Sequence, residues 1–523
     1  MRAGFVTIYS WRPHVEHLVY LANLLESAGS DVFFMMCDAD LPTCYTRNLR
    51  PNRNRLLECN LCKMGNVQSY RSHNISKIGN LVSDEASSET KRQHNWGGSS
   101  ASTILRSESD DDYDSLEFAA LRKKFDEAAE LAYNATCRWI EREKLDVIIA
   151  FNGRIDATRG IYEAAKKCGV RYISMERTMF GDGLQLLPDE SCLGLKTVHD
   201  LVKKWSEKPL TKAQARAAVS ALAGRFLKTD MKEWRVYNTS AKEKKWPADG
   251  KRRVLLVPGS RNEVWGSDDY ADGWPSRTEA YDAVISHLGL DPQDVVVRAH
   301  PNWGEKIGQA TGILSERYYY DWAKTRGIHY IHSDDDASTL SLIEQADVIV
   351  VANGTAALEA GLLGKRIIAL APSIYTKAGF EESAYSKEGI RFIEPIESGS
   401  GISKKKIIRQ TLRFLYTYKY RIPQFVDFVR CVTPTSYKYY EGANYERIVD
   451  LIETGILKPD DSKFSEERFD EDLIVDQIEQ KKFSDLMANE DGGAGDALEI
   501  SVHRRGLYKA ADLIRPYLKH GDR

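Results

Sequence analysis

The sequence predicts an α/β chain whose two doubly wound, parallel-sheet domains face each other across a cleft. Three observations carry this expectation. At 523 residues the chain has room for two or three domains of about 100–200 residues each. Short apolar runs of strand length alternate with stretches of helical periodicity, the order that builds a parallel sheet covered on both faces. The alternation also stops and restarts, so two Rossmann-like units in tandem fit better than one large sheet.

In chain order, residues 3–9 read as a strand, 14–28 as a helix with Val15, Leu18, Leu21 and Leu25 on one face, and 31–36 as a strand. Residues 66–114 turn to Ser, Asn, Gly, Asp and Arg with little periodicity and read as a long, mobile insertion. Helical spacing resumes at Leu121, Phe125, Ala128, Ala132, Ala135 and Trp139, followed by a buried strand at 147–151, a helix at 158–168 and a strand at 171–175. A Lys-rich helical stretch spans 207–250. The second series has strands at 254–257, 294–298, 328–331, 347–351 and 366–370, with a helix at 277–288. Residues 458–491 are acidic and polar, and Gly492-Gly493-Ala494-Gly495 reads as a flexible joint before a short terminal helix. The expected units are 1–248, 249–440 and a helical, acidic extension over 441–523.

Composition narrows the function classes. With 73 Lys and Arg against 76 Asp and Glu, the net charge is −3, which argues against a nucleic-acid backbone as partner. No run approaches the ~20 apolar residues of a membrane span, and Trp11-Arg12-Pro13-His14 interrupts any export segment. The expectation is a cytoplasmic protein, with peripheral contact at the inner face of the membrane left open. The sequons at Asn74, Asn134, Asn238 and Asn353 then read as chance.

Doubly wound sheets bind ligands at the carboxyl ends of their strands, so the loops there hold the candidate residues. Arg298 and His300-Pro301 follow one strand of the second series and would suit a phosphate. Asn353-Gly354-Thr355 follows another and leads into a helix start rich in backbone N–H groups, with Glu359 one turn on to accept from a ribose. Each has a plain alternative as a turn, a cap or a solvated helix residue. In the first series Asn152-Gly153-Arg154 and Glu176 end neighbouring strands, and His14 follows the first strand. Cys37, Cys44, Cys59 and Cys62, spaced C-x6-C-x14-C-x2-C over a loop at 37–62, suggest a closed, structural tetrahedral Zn²⁺ site. An iron–sulfur cluster or four unligated thiols are the other readings. Cys137, Cys168, Cys192 and Cys431 read as isolated buried thiols.

The block from VVVRAHPN to LIEQADVIVVANGTAALEAGLLGKRIIALAPSIYTKAGF resembles the donor-nucleotide half of GT-B glycosyltransferases, in particular the bacterial capsule and lipopolysaccharide type that includes Kdo transferases. The resemblance covers roughly residues 250–385. It implies a nucleotide-sugar donor held by His300-Pro301, Asn353-Gly354-Thr355 and Glu359-Ala360 with Gly364-Lys365. This turn has Asn-Gly-Thr where a Ser-Ser or Ser-Thr pair is usual. Val351 stands where many retaining enzymes of the fold have a glutamate. In the first domain, Asn-Gly-Arg with a later strand-ending glutamate is similar to an acceptor half. Glu176 is the first choice of general base, Asp182 the second and His14 the third, with Arg154 beside them; a structural Glu176–Arg154 ion pair is the plain alternative. The implied function is sugar transfer to a surface polysaccharide or lipid-linked glycan. Rival readings are a sugar-nucleotide epimerase of the same fold, whose Asp-Ser-Gly-Gly turn is missing at Asn353, and a non-catalytic carbohydrate-assembly scaffold.

Overall fold

The computed structural model describes residues 1–50, 54–70, 72–82, 94–229, 241–396, 401–459, 464, 469–487, 497–502 and 504–510. The Gly492–Gly495 joint, the Asn238 sequon, the part of the expected terminal helix beyond residue 510 and parts of the 66–114, 207–250 and 458–491 stretches lie outside these residues.

The chain opens with β1 (Arg2–Thr7), α1 (His14–Ser27), β2 (Asp31–Met36), α2 (Tyr45–Leu49), α3 (Arg55–Gly65), β3 (Ile75–Lys77) and α4 (Ile78–Leu81). It continues through α5 (Gly98–Leu105), α6 (Asp110–Tyr113), α7 (Leu116–Glu143), β4 (Val147–Phe151), α8 (Asp156–Cys168), β5 (Arg171–Thr178) and β6 (Gly181–Pro188). The strands form one sheet in the order β3-β2-β1-β4-β5-β6. All neighbours are parallel except β6, which runs antiparallel to β5. β4 reads VIIAF without alternation because both its faces are covered, and all five residues are buried.

Next come α9 (Lys196–Ser206), α10 (Lys212–Phe226), β7 (Val254–Val257), α11 (Arg261–Val264), α12 (Arg277–His287), β8 (Val295–Arg298) and α13 (Ile313–Thr325). They are followed by β9 (His329–Ile331), α14 (Thr339–Gln345), β10 (Val348–Val351), α15 (Ala356–Leu362), β11 (Arg366–Ala369), β12 (Glu382–Ser383) and α16 (Lys404–Tyr416). The second sheet is wholly parallel, in the order β12-β11-β10-β7-β8-β9. Numbered from its own first strand, it repeats the 3-2-1-4-5-6 order of the first sheet. Both are doubly wound Rossmann sheets, each with one switch point: β1/β4 in the first and β7/β10 in the second. The two doubly wound α/β units of the expected fold class are thus observed.

Beyond α16 a π-helical turn, Thr417–Arg421, leads to β13 (Val429–Thr433), β14 (Ser436–Tyr440), α17 (Glu446–Thr454), α18 (Glu471–Glu479), α19 (Phe483–Leu486) and β15 (Glu499–Ile500). Among the described residues no helix is long and apolar enough to cross a membrane.

Three placements differ from the sequence expectation. Residues 94–114 of the expected mobile insertion form α5 and α6, and Ser100, Ser102, Ser107 and Glu108 are buried. The buried face of α5 is small and polar (Gly98, Ser100, Ala101, Ser102), so large-residue periodicity does not reveal it. Helices α9 and α10, grouped with the first unit, pack on the second: His199 bonds the Ser373 carbonyl at 2.7 Å, and Arg225 pairs with Glu359 at 2.8 Å. The chain then returns. Leu184 of β6 and Gln424 exchange both backbone hydrogen bonds at 2.8 Å, and His17 of α1 bonds the Tyr439 hydroxyl of β14 at 2.8 Å.

Helices α7 and α8 approach so closely that a Cβ on Gly160 would stand 2.0 Å from the Ala129 carbonyl oxygen. Eight residues along each helix, the Cys137 and Cys168 thiols are in hydrogen-bonding contact. They are neighbours, not isolated thiols, and Cys168 is exposed.

Candidate functional site

At the first switch point His14 opens α1 directly after the β1 loop, and Asn152 follows β4. Asn152 (φ 70°) and Gly153 (φ 75°) are both left-handed, a conformation that Asn tolerates better than most residues and that Gly adopts freely. The tight turn lets the Asn152 side-chain oxygen accept from the Arg154 and Ile155 N–H groups at 2.9 and 3.2 Å. Its amide nitrogen reaches Glu176 Oε2 at 3.4 Å.

Glu176, on β5, pairs with His14 Nε2 at 2.7 Å and accepts from the Arg177 N–H at 3.1 Å. Burial raises its pKa, but the His14 charge and hydrogen bond together with Arg177 outweigh it, so the carboxyl sits below its ordinary value of 4.5. Glu176 keeps 23% of its side chain exposed against 10% for His14, so it is the more accessible member of the pair.

Arg154 does not pair with Glu176. Its guanidinium donates to Ser99 Oγ at 2.7 Å and Thr103 Oγ1 at 3.2 Å on α5, and to the Glu263 carbonyl of α11 at 3.0 Å, tying the first sheet's mouth to the second unit. Asp182, the second choice of base, stands apart from this cluster. It is buried on β6, accepts from the Cys431 N–H at 2.8 Å and lies 3.6 Å from Arg430, so it pins β13 to the sheet. Cys192, expected to be an isolated buried thiol, is half-buried and lies beside this cluster: its N–H donates to the Asn152 carbonyl at 2.7 Å and its thiol bonds Arg154. Burial, then the Glu176 charge, push that thiol up to about 12.

At the second switch point the turns after β7 and β10 meet, and a Cβ on Gly259 would stand 2.5 Å from Asn353 Oδ1. Thr355 is exposed, Asn353 and Gly354 are half-buried, and a Cβ on Gly354 would meet nothing within 4 Å. The Tyr375 hydroxyl holds this turn by donating to the Gly354 carbonyl at 3.0 Å. His300 caps the short turn Pro301–Gly304, its Nδ1 accepting from the Asn302 N–H at 3.2 Å, so the neutral ring carries its proton on Nε2.

Two expected donor contacts are committed elsewhere. The Arg298 guanidinium is buried and donates to the carbonyls of His332 and Asp335 (3.1 Å to the latter) and to Thr339. It braces β8 against the chain after β9 instead of meeting an anion. Glu359, 8% exposed, is held by the Arg225 ion pair and is not wholly free for a ribose.

Arg106 and Glu108 were missed because their stretch has no periodicity. The Arg106 guanidinium donates to the carbonyls of Asn302 (2.6 Å), Glu305 (3.0 Å) and Ala310 (3.3 Å), bracing the loop after His300. Glu108 accepts from the Arg261 N–H at 2.8 Å and the Tyr319 hydroxyl at 3.1 Å, and burial raises its carboxyl to about 7.

The zinc expectation is corrected. Cys59 and Cys62 lie within helix α3 instead of on a metal-binding knuckle, and Cys44 precedes α2. Cys59 Sγ accepts from Arg47 at 3.7 Å and Cys62 donates to the Ile8 carbonyl at 3.8 Å. Among the described residues no group of three or more His, Cys, Asp or Glu side chains is arranged to hold a metal ion. Burial is the largest cause raising Cys37, Cys44 and Cys62, the last to about 11, and the charges of Cys37 and Cys59 add to the rise at Cys62.

No protein-family model and no curated protein matches the chain. Among solved structures it is similar to the beta Kdo 2,4 transferase KpsC of Thermosulfurimonas dismutans, at 13% identity over 64% of this chain and 87% of that one, with a TM-score of 0.33. It is also similar to the UDP-GlcNAc 2-epimerase of Methanocaldococcus jannaschii (13% identity, 87% and 99% of the two chains, TM-score 0.26). A third is the glycosyltransferase SsfS6 of Streptomyces sp. SF2575 (11%, 80% and 95%, TM-score 0.22). The two strand orders, and not these distant likenesses, define the architecture: paired doubly wound Rossmann-type domains.

Proposed function

We propose that the chain is a glycosyltransferase that moves a sugar from a nucleotide-sugar donor to a surface polysaccharide or lipid-linked glycan. The observation that carries this reading is the His14–Glu176 pair, with the partly exposed Glu176 side chain near the carboxyl end of the first sheet. The second sheet supports it with an accessible Asn353-Gly354-Thr355 turn at its own switch point.

In this reading the Glu176 carboxylate takes the proton of the acceptor hydroxyl as its oxygen bonds to the anomeric carbon. His14 keeps Glu176 ionised, and Asn152 fixes its orientation. The bond from the sugar to the nucleotide's phosphate breaks, and the leaving phosphate takes up negative charge. The Thr355 hydroxyl, the backbone N–H groups of its turn and the His300 Nε2–H would meet that charge.

The test is a thermal-shift series with CMP, CDP, UDP, GDP and their sugar conjugates, since a ligand at 100 times its Kd stabilises by about 2.7 kcal/mol. One nucleotide is expected to raise the unfolding temperature of the parent and of Glu176→Gln, and His300→Ala is expected to lose that shift. Glu176→Gln is also expected to lose transfer. Donor isomerisation without acceptor would favour the epimerase reading, and no shift with any nucleotide would favour the scaffold.

A further inference from the structure

Helix α7 leads into β4 and α8 into β5, and these two strands are parallel neighbours. The helices therefore run in the same direction, side by side on the first sheet. Their register is set where Gly160 meets the Ala129 carbonyl, and the missing side chain at Gly160 lets the two backbones come close. The same register carried along both helices reaches Cys137 and Cys168, whose thiols are in hydrogen-bonding contact. A disulfide needs its sulfurs about 2.05 Å apart, and thiols already in contact on two closely packed helices are placed to reach it.

The two thiols differ in access and in reactivity. Of the eight cysteines Cys168 alone is exposed, whereas Cys137 is half-buried. Burial first, and the neighbouring Cys168 second, push the Cys137 thiol up to about 12, so Cys137 keeps its proton near neutrality and is a poor first nucleophile. Cys168 is thus the thiol that meets an oxidant from solution, and Cys137 stands directly behind it.

We propose that Cys137 and Cys168 form a reversible disulfide that staples α7 to α8 when the protein meets a low-molecular-weight disulfide of the glutathione class. Cys168 attacks one sulfur of the oxidant, forming a mixed disulfide, and the first glutathione leaves with the Cys168 proton. Cys137 then attacks the Cys168 sulfur, and the second glutathione leaves with the Cys137 proton. Two protein thiols are oxidised to one disulfide while one glutathione disulfide is reduced to two thiols. The staple lies at the amino end of the first sheet, since α8 ends at Cys168 shortly before β5 begins at Arg171. It also reaches the sheet itself, because α7 seats on β1, where a Cβ on Gly4 would stand 2.8 Å from the Trp139 ring. His14 and Glu176 take no part, so the inference does not rest on the transferase reading.

The experiment treats the reduced full-length protein with glutathione disulfide, blocks the remaining thiols with iodoacetamide in denaturant, and maps tryptic peptides by mass spectrometry without reduction. Peptides 125–138 and 168–171, which end at Arg138 and Arg171, are expected to be joined and to separate on treatment with dithiothreitol. The unfolding temperature of the parent is expected to rise on oxidation and return on reduction, because the cross-link closes a loop of about thirty residues. Cys137→Ser is expected to stop at the mixed disulfide on Cys168. Cys168→Ser, changed at an exposed position, is expected to form neither product, its Cys137 reacting at least about tenfold more slowly than Cys168 does in Cys137→Ser. A parent that stays unreacted, stops at the mixed disulfide, links either cysteine to another partner, or forms the joined peptides with no change in unfolding temperature would overturn the proposal.

Discussion

Glu176 lies between opposing influences, burial on one side and His14 with Arg177 on the other, and the second set prevails. The acid is therefore ionised more readily in the folded protein than an ordinary carboxyl of 4.5. Activity that needs this carboxylate should not fall on the acid side until the pH passes beneath that value. Replacing His14 by Gln removes the leading favourable influence and leaves burial in place, so the acid limb of kcat/KM is expected to move to higher pH. An unmoved limb in His14→Gln would show that Glu176 is not the titrating base. The residues of this cluster were legible because each follows a strand of a doubly wound sheet, where position alone marks them. The fate of Arg298 was not legible, since carbonyls of residues 332 and 335 claim its guanidinium and only the fold brings them near. Cys192, Arg106 and Glu108 gave no signal in spacing or in type.

Among elements, α7 and α8 give the sharpest packing test. The helices meet where Gly160 faces the Ala129 carbonyl, and a methyl there would need room that the backbone occupies. Gly160→Ala is expected to destabilise the protein by about 2 kcal/mol, the cost of overpacking outweighing the gain in helix propensity. It should lower the urea midpoint with an unchanged m-value. Strands and long helices were the legible elements: the parallel strands announced themselves as unbroken apolar runs, and α7 by its period. The CxxC spacing pointed to zinc because spacing cannot tell a knuckle from one turn of a helix. Here Asn54 accepts from the Leu56 and Leu57 N–H groups and starts a helix through both cysteines.

The whole molecule holds buried acids whose protons are retained near neutrality. Burial lifts Glu108 and Glu381 from 4.5 to about 7 and Asp156 from 3.8 to about 6. Each keeps a proton when folded over a range in which the unfolded chain has released it. Their contribution is full below the unfolded values, declines as pH rises to the folded values and is constant above. His17, whose pKa burial lowers, acts in the opposite sense as pH falls through 6.5. Comparing a variant with its parent isolates one group: Glu108→Gln is expected to gain stability relative to the parent between pH 5 and 8, by up to about 3 kcal/mol. A difference that does not change with pH in denaturant titrations would refute it. At this scale the tandem build was legible from the restart of the strand series, whereas the crossing points were not, because α9 and α10 carry no mark of the sheet they cover. Those crossings have a mechanical meaning. The chain leaves the first unit after β6 and returns at Gln424, and the two passages are laced together where Leu184 and Gln424 exchange hydrogen bonds. The halves are thus bound like a book along one spine, while the Arg106, Glu108 and Arg154 bonds to the second unit act as a clasp. Turning about that spine requires the clasp to be undone, together with the packing of Trp265 on Tyr113 and Phe118.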